Sequence, residues 1–467
     1  MNEKVAQALS HVEEKYIAQA ARRRKRHYVR KALIAAVLTL AFLFHIPALP
    51  LAVSAKAVSL APESRKTDRP SHSSERFDAW YDAYLLRSET AEAAIPAVAA
   101  FAENCSAEVL AGTDTVNRLW SPINAYIALS VTAELAGGDT RAEVLHALGK
   151  DSIETLRRDV SAIWETIYND NGREISVLAN SLWLDKDVTY VQQAMDDIAY
   201  HHYASVYQGD LGSSRTNRAM ANWLNNQTGG FLKDRTGKLS VDPESLLALV
   251  STVYFQAQWS DRFSSADNTE GIFHGAEGDV PCTFLHKSAE EFKANYYWAE
   301  DYGAIQLFLK NGSMMWLILP DEDKTTDDVL RSGDYMDMIT RSEDFPAENR
   351  EYMKVNLSLP KFDVSASTDL KEPLRRTGLT ELFEPLGNDF SPSIVSEYPV
   401  YLDSINQDTR VSIDEEGVTA ASYVLLQFGA GAAAPPEEII DFVLDRPFLF
   451  AITSSDIPLF VGTVNTP

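Results

Sequence analysis

Residue patterns that could carry hydrolytic chemistry are weak in this sequence of 467 residues. G-x-S-x-G, which presents a serine nucleophile on a sharp turn, does not occur, and neither does H-E-x-x-H, which places two zinc ligands on one helix face. Ser358-x-x-Lys361 matches S-x-x-K, but Pro360 lies inside it and its context indicates a strand. His201 and His202 could bind a metal, although the end of a solvated helix is the simpler interpretation. We therefore expect neither an enzyme nor a metal or cofactor site.

The two cysteines offer no further chemistry. Cys105 and Cys282 are too few for a disulfide framework, and they could pair only if the fold brought them together. They also cannot form a structural zinc site by themselves. We expect two free, partly buried thiols.

An uncharged stretch near the C-terminus is the feature that most needs an explanation. From Gly417 to Pro436 no residue is charged, although the chain carries a net charge of -25. Such a run is usually buried, and "DEEGVTAASYVLLQF" (Asp414 to Phe428) has the composition of a strand. The "GAGAAAPP" that follows cannot continue a strand and is typical of an exposed loop. One segment thus has the properties of a buried strand and of an exposed loop.

The first part of this stretch satisfies the rules for a central strand. No proline occurs between Gly417 and Phe428, and Gly417 permits a bend at the start. Alternate residues face opposite sides of a strand. One face is uncharged, with small residues first and larger ones later, and we assign it inward: Val418, Ala420, Ser422, Val424, Leu426 and Phe428. The other face consists of Thr419, Ala421, Tyr423, Leu425 and Gln427.

Helix and strand patterns mix irregularly in the body of the chain and predict an α+β fold with mostly antiparallel sheets. With 45% hydrophobic residues the chain can form a large core, and its acidity argues against nucleic acid or heparin-like polymers as partners. Helices are predicted over residues 93–111, over 121–138 with a cap at Ser121-Pro122, and over 139–149 with Asp139 as the cap. Strands are predicted over residues 174–184, 246–259 and 353–364, and over 446–467 as a pair that bends at Ile457-Pro458.

The N-terminal residues predict that the protein is inserted into a membrane or exported across it. Residues 1–31 hold nine Lys or Arg against three Asp or Glu, and residues 32–53 form an uncharged stretch of 22 residues, enough to cross a bilayer. Because the positive flank stays in the cytoplasm, the rest of the chain is expected outside. Either the segment anchors the protein in the membrane, or it is a secretion signal cut after Ala55 or Ala57. We expect the anchor, with residues 54–90 as a flexible stalk that is rich in Ser, Pro and charge over residues 54–76.

The order of motifs in residues 91–467 resembles that of the serpin family. The matching segments include "LWSPINAYIALSVTAELAGGDTRAEVLHALG", "LVSTVYFQAQWSDRF", "LSLPKFDVSASTDLKEPLRRTGLTELF", "VSIDEEGVTAASYV", "DRPFLFAI" and "PLFVGTVNTP". The resemblance implies three mostly antiparallel sheets, eight to nine helices and an exposed reactive-centre loop at about residues 414–442. It also implies an inhibitor that is cleaved in this loop and then inserts the loop's N-terminal part into a sheet.

The resemblance assigns roles within the loop. The hinge that bends first consists of Glu415, Glu416, Gly417, Val418, Thr419, Ala420 and Ala421. Counting sixteen residues on from Glu415 places the scissile bond at Gly431-Ala432, and counting back from Pro435 and Pro436 places it at Ala432-Ala433. Gly and Ala at these positions suit a serine protease with a shallow primary pocket, elastase-like or subtilisin-like, and Phe428 could fill a more distal subsite.

Some positions depart from the family pattern. The family's polar cluster beneath the central sheet includes Ser121, but Asn124 and Gln407 replace its usual second Ser and its His. Both amides can donate and accept hydrogen bonds, so a re-paired network is expected. Trp259 matches a family tryptophan with a packing role, and Trp183, Trp223 and Trp316 are expected in the core. We expect a monomer, and a non-inhibitory binding protein on a membrane stalk is the alternative function.

Overall fold

The computed structural model describes most of the chain after residue 54. The described residues are 55–62, 76–112, 115–170, 175–231, 240–384, 387–396, 400–402, 405–418 and 438–467. The predicted basic segment, the predicted membrane span and residues 419–437 of the predicted loop lie outside them, as do Thr419, Ala420, Ala421, Phe428, Gly431 and Ala432.

Nine α-helices occur in this part of the chain. They are α1 Phe77–Leu110, α2 Pro122–Leu135, α3 Gly138–Ala147, α4 Ile153–Ile167, α5 Gln192–His202, α6 Ser214–Gln227, α7 Thr326–Ser332, α8 Tyr335–Thr340 and α9 Lys371–Arg376. Helix α2 begins as predicted, with Pro122 in its first turn and the Ser121 side chain accepting from the backbone N–H of Asn124. Helix α3 begins earlier than predicted, because Gly137 rather than Asp139 precedes its first turn.

The predicted stalk over residues 54–90 is wrong at both ends. Residues Lys56–Ser59 form an edge strand that pairs with residues 206–208, and the Ala61 N–H donates to Ser205 Oγ at 3.1 Å. Residues 77–90 are the first turns of α1, which continues to Leu110. Among the described helices only α1 is long and apolar enough to cross a membrane, but 56% of its apolar window is buried within the domain, which indicates a core helix.

The described residues also form twenty β-strands. They are β1 Lys56–Ser59, β2 Arg118–Trp120, β3 Asn169–Asp170, β4 Ile175–Asp185, β5 Thr189–Tyr190, β6 Ala204–Gly209, β7 Leu247–Gln258, β8 Thr269–Gly275, β9 Gly278–Lys287, β10 Lys293–Trp298, β11 Tyr302–Phe308, β12 Met314–Pro320, β13 Arg350–Pro360, β14 Asp363–Asp369, β15 Ile394–Val395, β16 Asn406–Ser412, β17 Gly417–Val418, β18 Ile439–Val443, β19 Phe448–Ser454 and β20 Ile457–Val464.

The ladders divide these strands into four sheets. A six-stranded sheet has the order β1-β6-β4-β7-β17, with β3 paired to β4. A ten-stranded sheet has the order β2-β20-β19-β12-β11-β10-β13-β9-β8, with β18 paired to β13, and β14-β16 and β5-β15 form separate pairs. Only β4-β6 and β13-β18 are parallel among the described ladders, so the predicted α+β fold with mostly antiparallel sheets is confirmed.

Two local predictions at strand ends are corrected. The last hairpin turns at Ser455 and Asp456, which adopt φ of 48° and 61°, so Ile457-Pro458 begins β20 instead of forming the bend. Residues 353–364 contain the end of β13 and the start of β14 rather than one strand. Ser358 lies on β13 with its Oγ 3.1 Å from His286 Nδ1, which confirms that the S-x-x-K match is on a strand.

The core is large and contains the predicted tryptophans. Trp183, Trp223, Trp259 and Trp316 are all buried. Both thiols are free, with Cys105 buried and Cys282 half-buried, as predicted. Burial raises the pKa of Cys105 to about 12, so this thiol is not a ready nucleophile.

The predicted solvated position of His202 is wrong, because this side chain is fully buried. Its Nε2 lies 3.1 Å from Glu134 Oε2 and its Nδ1 lies 2.9 Å from Ser130 Oγ. Arg157 forms a bidentate pair with Glu134 at 2.5 and 2.7 Å. Burial raises the pKa of Glu134, but the hydrogen bonds from Arg157 and His202 outweigh it and lower that pKa to about 2. The cluster joins α2, α4 and α5 and has a structural role.

Candidate functional site: the hinge and the strands beside it

The candidate site lies where β7 and β16 run side by side without a ladder between them. The two strands approach within 8 Å between Cα atoms, yet the described ladders join β16 only to β14 and β7 only to β4 and β17. A cavity of about 110 Å³ lies beside the N-terminal half of β7. It is lined by Ser251 of β7, by Asp408 of β16 and by Leu224 of α6. The sheet is therefore incomplete along this line.

The two residues of β17 already form the start of a strand along this line. Gly417 pairs with Gln258 and Val418 with Ala257, both antiparallel, and Val418 forms an antiparallel bridge to Ile413. The hinge thus enters between β7 and the end of β16 and runs antiparallel to both. Val418 is 1% exposed, which agrees with the inward face assigned from the sequence.

Gly417 is required here by space rather than by backbone conformation. We expected glycine to permit a bend, but its φ lies outside the left-handed region. A Cβ atom at this position would instead collide with the Ala257 carbonyl oxygen and lie 2.6 Å from the Cα atom of Gln258. Any larger residue would push the hinge away from β7.

A tight turn over residues 414–417 directs the hinge into this position. The backbone N–H of Asp414 donates to the Gly417 carbonyl at 3.0 Å. The side chain of Asp414 closes the turn, because its Oδ1 accepts from the N–H of Glu416 at 2.8 Å and of Gly417 at 3.1 Å. The turn is thus held locally by one aspartate.

The end of β7 fixes this turn from outside. Trp259 Nε1 donates to the Asp414 carbonyl at 2.8 Å, and the Trp259 backbone N–H donates to the Glu416 carbonyl at 3.0 Å. The N–H of Phe263 donates to the Glu415 carbonyl at 3.2 Å. Trp259 was expected only to pack, and its two hydrogen bonds give it a positioning role at the hinge.

Both hinge glutamates are paired. Glu415 Oε1 accepts from Lys361 Nζ and from Asn268 Nδ2, each at 2.5 Å, and the hydrogen bond from Lys361 lowers the pKa of Glu415. Glu416 forms an ion pair with Arg262 at 2.7 Å. Sequence analysis did not predict these partners, although Lys361 and Arg262 lie in segments that it had identified.

Replacing Lys361 with methionine is expected to loosen the hinge at neutral pH. The pair is partly exposed, with 33% and 20% of the Lys361 and Glu415 side chains accessible, so the expected loss in free energy of unfolding is about 1 kcal/mol or less. Because the pKa of Glu415 is lowered in the fold, the pair stabilises above the ordinary carboxyl pKa and is lost as pH falls through the lowered value. The difference between wild type and Lys361→Met should therefore shrink on acidification.

Urea unfolding at a series of pH values measures this difference. Lys186→Met is the matched control, since Lys186 pairs with Asp210 on an exposed surface away from the hinge. A Lys361→Met effect that stayed constant between neutral and acidic pH would contradict the assignment of its partner to Glu415.

The predicted polar cluster is brought together beneath β7 and β16. The Ser121 backbone N–H donates to Gln407 Oε1 at 2.7 Å, and Gln407 Nε2 donates to the Ser121 carbonyl at 3.0 Å. The Gln407 side-chain amide thus pairs with both backbone polar groups of Ser121 at the start of α2. Ser121 and Gln407 are both buried, so these bonds satisfy groups that water cannot reach.

Asn124 joins the same cluster to β4 and β7. The Ser251 hydroxyl contacts the side-chain oxygens of Asn124 and Asn180. A hydroxyl has one proton, so it donates to only one of these two oxygens at a time. The Asn124, Ser251 and Asn180 side chains thus link α2 to two neighbouring strands next to the missing ladder.

Most of the chain is similar to known proteins. The family model described as serpin (serine protease inhibitor) matches residues 96–467. Plasminogen activator inhibitor 1 of Bos taurus is 26% identical over 372 residues, which cover 77% of this chain and 89% of that protein. Alpha-1-antiproteinase S of Cavia porcellus is 25% identical over 362 residues, with coverages of 76% and 86%.

Solved serpin structures are similar in fold to this chain. The crystal structure of the thermophilic serpin tengpin in its native state has a TM-score of 0.70 at 25% identity and covers 89% of this chain and 100% of that chain. The latent state of tengpin gives a TM-score of 0.65 at 26% identity, with coverages of 79% and 96%.

Proposed function

The chain belongs to the serpin family, and on that premise we propose that it traps a serine protease by inserting its cleaved loop between β7 and β16. The observation that carries this proposal is the position of Gly417 and Val418, which start a strand antiparallel to both neighbours. Each further residue that enters adds ladder hydrogen bonds and buries apolar surface at about 25 cal/mol per Å². Insertion therefore lowers the free energy of the protein once the loop is cut.

The proposed scissile bond is Gly431-Ala432. Only small residues occupy positions 430–434, so a protease with a deep basic or aromatic pocket gains little from them. We propose a target of the elastase-like or subtilisin-like kind, with Phe428 in a distal subsite. The proposed molecule acts as a monomer, since the hinge and the receiving strands belong to one chain.

Incubation with proteases of different pocket types tests this function. We expect a covalent adduct, stable on denaturing electrophoresis, with an elastase-like or subtilisin-like protease and none with a trypsin-like protease, because no Lys or Arg lies between Gly417 and Pro436. Mass spectrometry of the released C-terminal peptide identifies the scissile bond. Simple cleavage would indicate a substrate, and an intact chain would indicate the alternative, a binding protein on a membrane anchor; either result would refute the proposed trapping.

The proposed location is the cell membrane, with residues 32–53 as a single span and the serpin domain outside. Cleavage of a secretion signal after Ala57 is disfavoured by strand β1, since Ala57 pairs with Tyr207 and a cut there would remove half of the strand. Cleavage after Ala55 would leave β1 intact and release the domain. The mass of the mature N-terminus decides between the anchored and the secreted protein.

A further inference from the structure

The first turns of α1 lie outside the hydrophobic core. Every residue over positions 76–90 is exposed or half-buried, and Ala91 is the first buried residue of the helix. The family model begins at residue 96, so these turns precede the segment that matches serpins. We call residues 77–90 the arm. The trapping mechanism does not use the arm, so its residues need another explanation.

One side of the arm is aromatic. Its large apolar residues have the i, i+3, i+4, i+7, i+8 spacing that places side chains on one helical face. This aromatic stripe consists of Phe77, Trp80, Tyr81, Tyr84 and Leu85. The rings of Trp80 and Tyr84 stack with their centroids 5.6 Å apart. Tyr81 and Tyr84 are 44% and 43% exposed, and exposed apolar side chains grouped in this way are typical of an interaction surface.

The opposite side of the arm is acidic. Asp78 and Asp82 lie there, away from the aromatic stripe. Three carboxylates against two guanidinium groups give residues 76–89 a net charge of -1. Charge therefore does not attract the arm to an anionic polymer or to anionic lipid. The partner of the stripe is recognised by its apolar surface.

The residues that follow the predicted membrane span connect it to the arm through β1 and α5. Val53 ends the span and Lys56 begins β1, and the three peptide units between them reach at most about 11 Å. A bilayer that holds residues 32–53 therefore lies close to β1. Strand β1 contacts α5, and Tyr200 of α5 lines a cleft together with Leu86 of the arm. Tyr200 and Leu86 are both exposed, so apolar surface continues from α5 to the arm.

The chemistry of the stripe fits the surface of a bilayer. Tyrosine and tryptophan have an apolar ring and a polar tip, and they are enriched where hydrocarbon meets water. An amphipathic helix lies in the plane of this interface with its apolar face among the lipids. The arm has such a face, and the adjacent predicted span places a bilayer within its reach.

We propose that the aromatic stripe of the arm lies in the outer interface of the bilayer that residues 32–53 cross, and that it gives the domain a fixed orientation on the membrane. This inference rests on the membrane location proposed above. It is independent of trapping, because the stripe belongs neither to the hinge nor to β7 or β16.

Photo-crosslinking of the full chain in phosphatidylcholine vesicles tests the proposal. A phosphatidylcholine with a diazirine near the headgroup end of its acyl chain labels residues at the interface. Trypsin cuts after Arg76 and Arg87, so it releases the stripe in one peptide, residues 77–87. We expect lipid adducts on this peptide and on peptides from residues 32–53. Added phosphatidylserine should not increase the label on residues 77–87, because the arm carries a net negative charge.

A double variant removes the stacked aromatic pair from the stripe. Trp80→Gln with Tyr84→Gln should lower the label on residues 77–87 about tenfold, because two large rings no longer favour the interface. Asp78→Gln with Asp82→Gln is the matched control on the opposite side of the arm, and its label should equal that of wild type. Glutamine is a good helix former, and the arm lies outside the core, so both variants should keep the melting temperature and the protease adduct of wild type.

The labelled peptides separate the role of the stripe from the role of the span. Label on residues 32–53 without label on residues 77–87 would overturn the proposal and leave the anchor intact, whereas label on neither would overturn both. Label on residues 77–87 alone would support the stripe and refute the span. Equal label in the Trp80→Gln, Tyr84→Gln variant, or label that requires phosphatidylserine, would overturn the proposal. A dimer that this variant dissociates would assign the stripe to a second copy of the chain and would overturn it as well.

Discussion

Val418→Arg abolishes the covalent protease adduct and leaves the loop cleavable. Val418 is 1% exposed and lies between β7 and Ile413, so an arginine there would carry its charge into the core without a partner. The variant should instead expel the hinge, and the cut loop should remain outside the sheet. The protease is then released faster than insertion can trap it.

The ratio of adduct to cleaved chain on denaturing gels measures this effect. We expect adduct in wild type and at least about a hundredfold less in Val418→Arg, because a partition ratio changes tenfold per about 1.4 kcal/mol of barrier and an unpaired buried charge costs more than twice that. Val395→Arg is the matched control, since Val395 also lies in a two-residue strand but is 59% exposed. Its adduct yield should equal that of wild type.

The variant could lose activity by unfolding, so its melting temperature is measured alongside. A folded Val418→Arg protein that still forms adduct in wild-type yield would refute the inward assignment of this face. Cleavage at the wild-type rate together with lost adduct would support it.

Cleavage near Gly431 raises the melting temperature of the protein sharply. If residues 419–428 follow Gly417 and Val418 into a strand between β7 and β16, they add up to ten residues of ladder to the sheet. At about 1 kcal/mol of net stability per hydrogen bond, this is on the order of 10 kcal/mol. For a domain of this size each kcal/mol shifts the melting temperature by about 2 °C, so a rise of about 20 °C is expected.

Calorimetry of the intact and the nicked protein measures this rise. The nicked Val418→Arg variant is the control, because it carries the same cut and should melt at the temperature of its uncut form. A nicked wild-type chain that melts like the intact chain would show that the loop does not insert. Such a chain could still bind a partner, which is the alternative function.

Features that depend on neighbours along the chain were determined by the sequence. The start of α2 at Ser121-Pro122 follows from a cap and a proline, and these act within one helical turn. The inward direction of Val418 follows from the alternation of side chains in a strand. The order of motifs likewise indicated the family and the α+β fold, because each motif is a contiguous segment.

Features that depend on distant residues were decided only by the tertiary structure. Lys361 and Glu415 are 54 positions apart, and Trp259 and Asp414 are 155 apart, so no local pattern could pair them. The same is true of β1, which is an edge strand that pairs with β6, about 150 residues later in the chain, and replaces part of the predicted stalk. Propensity describes how a segment folds on its own, whereas these contacts arise only when packing brings separate segments together.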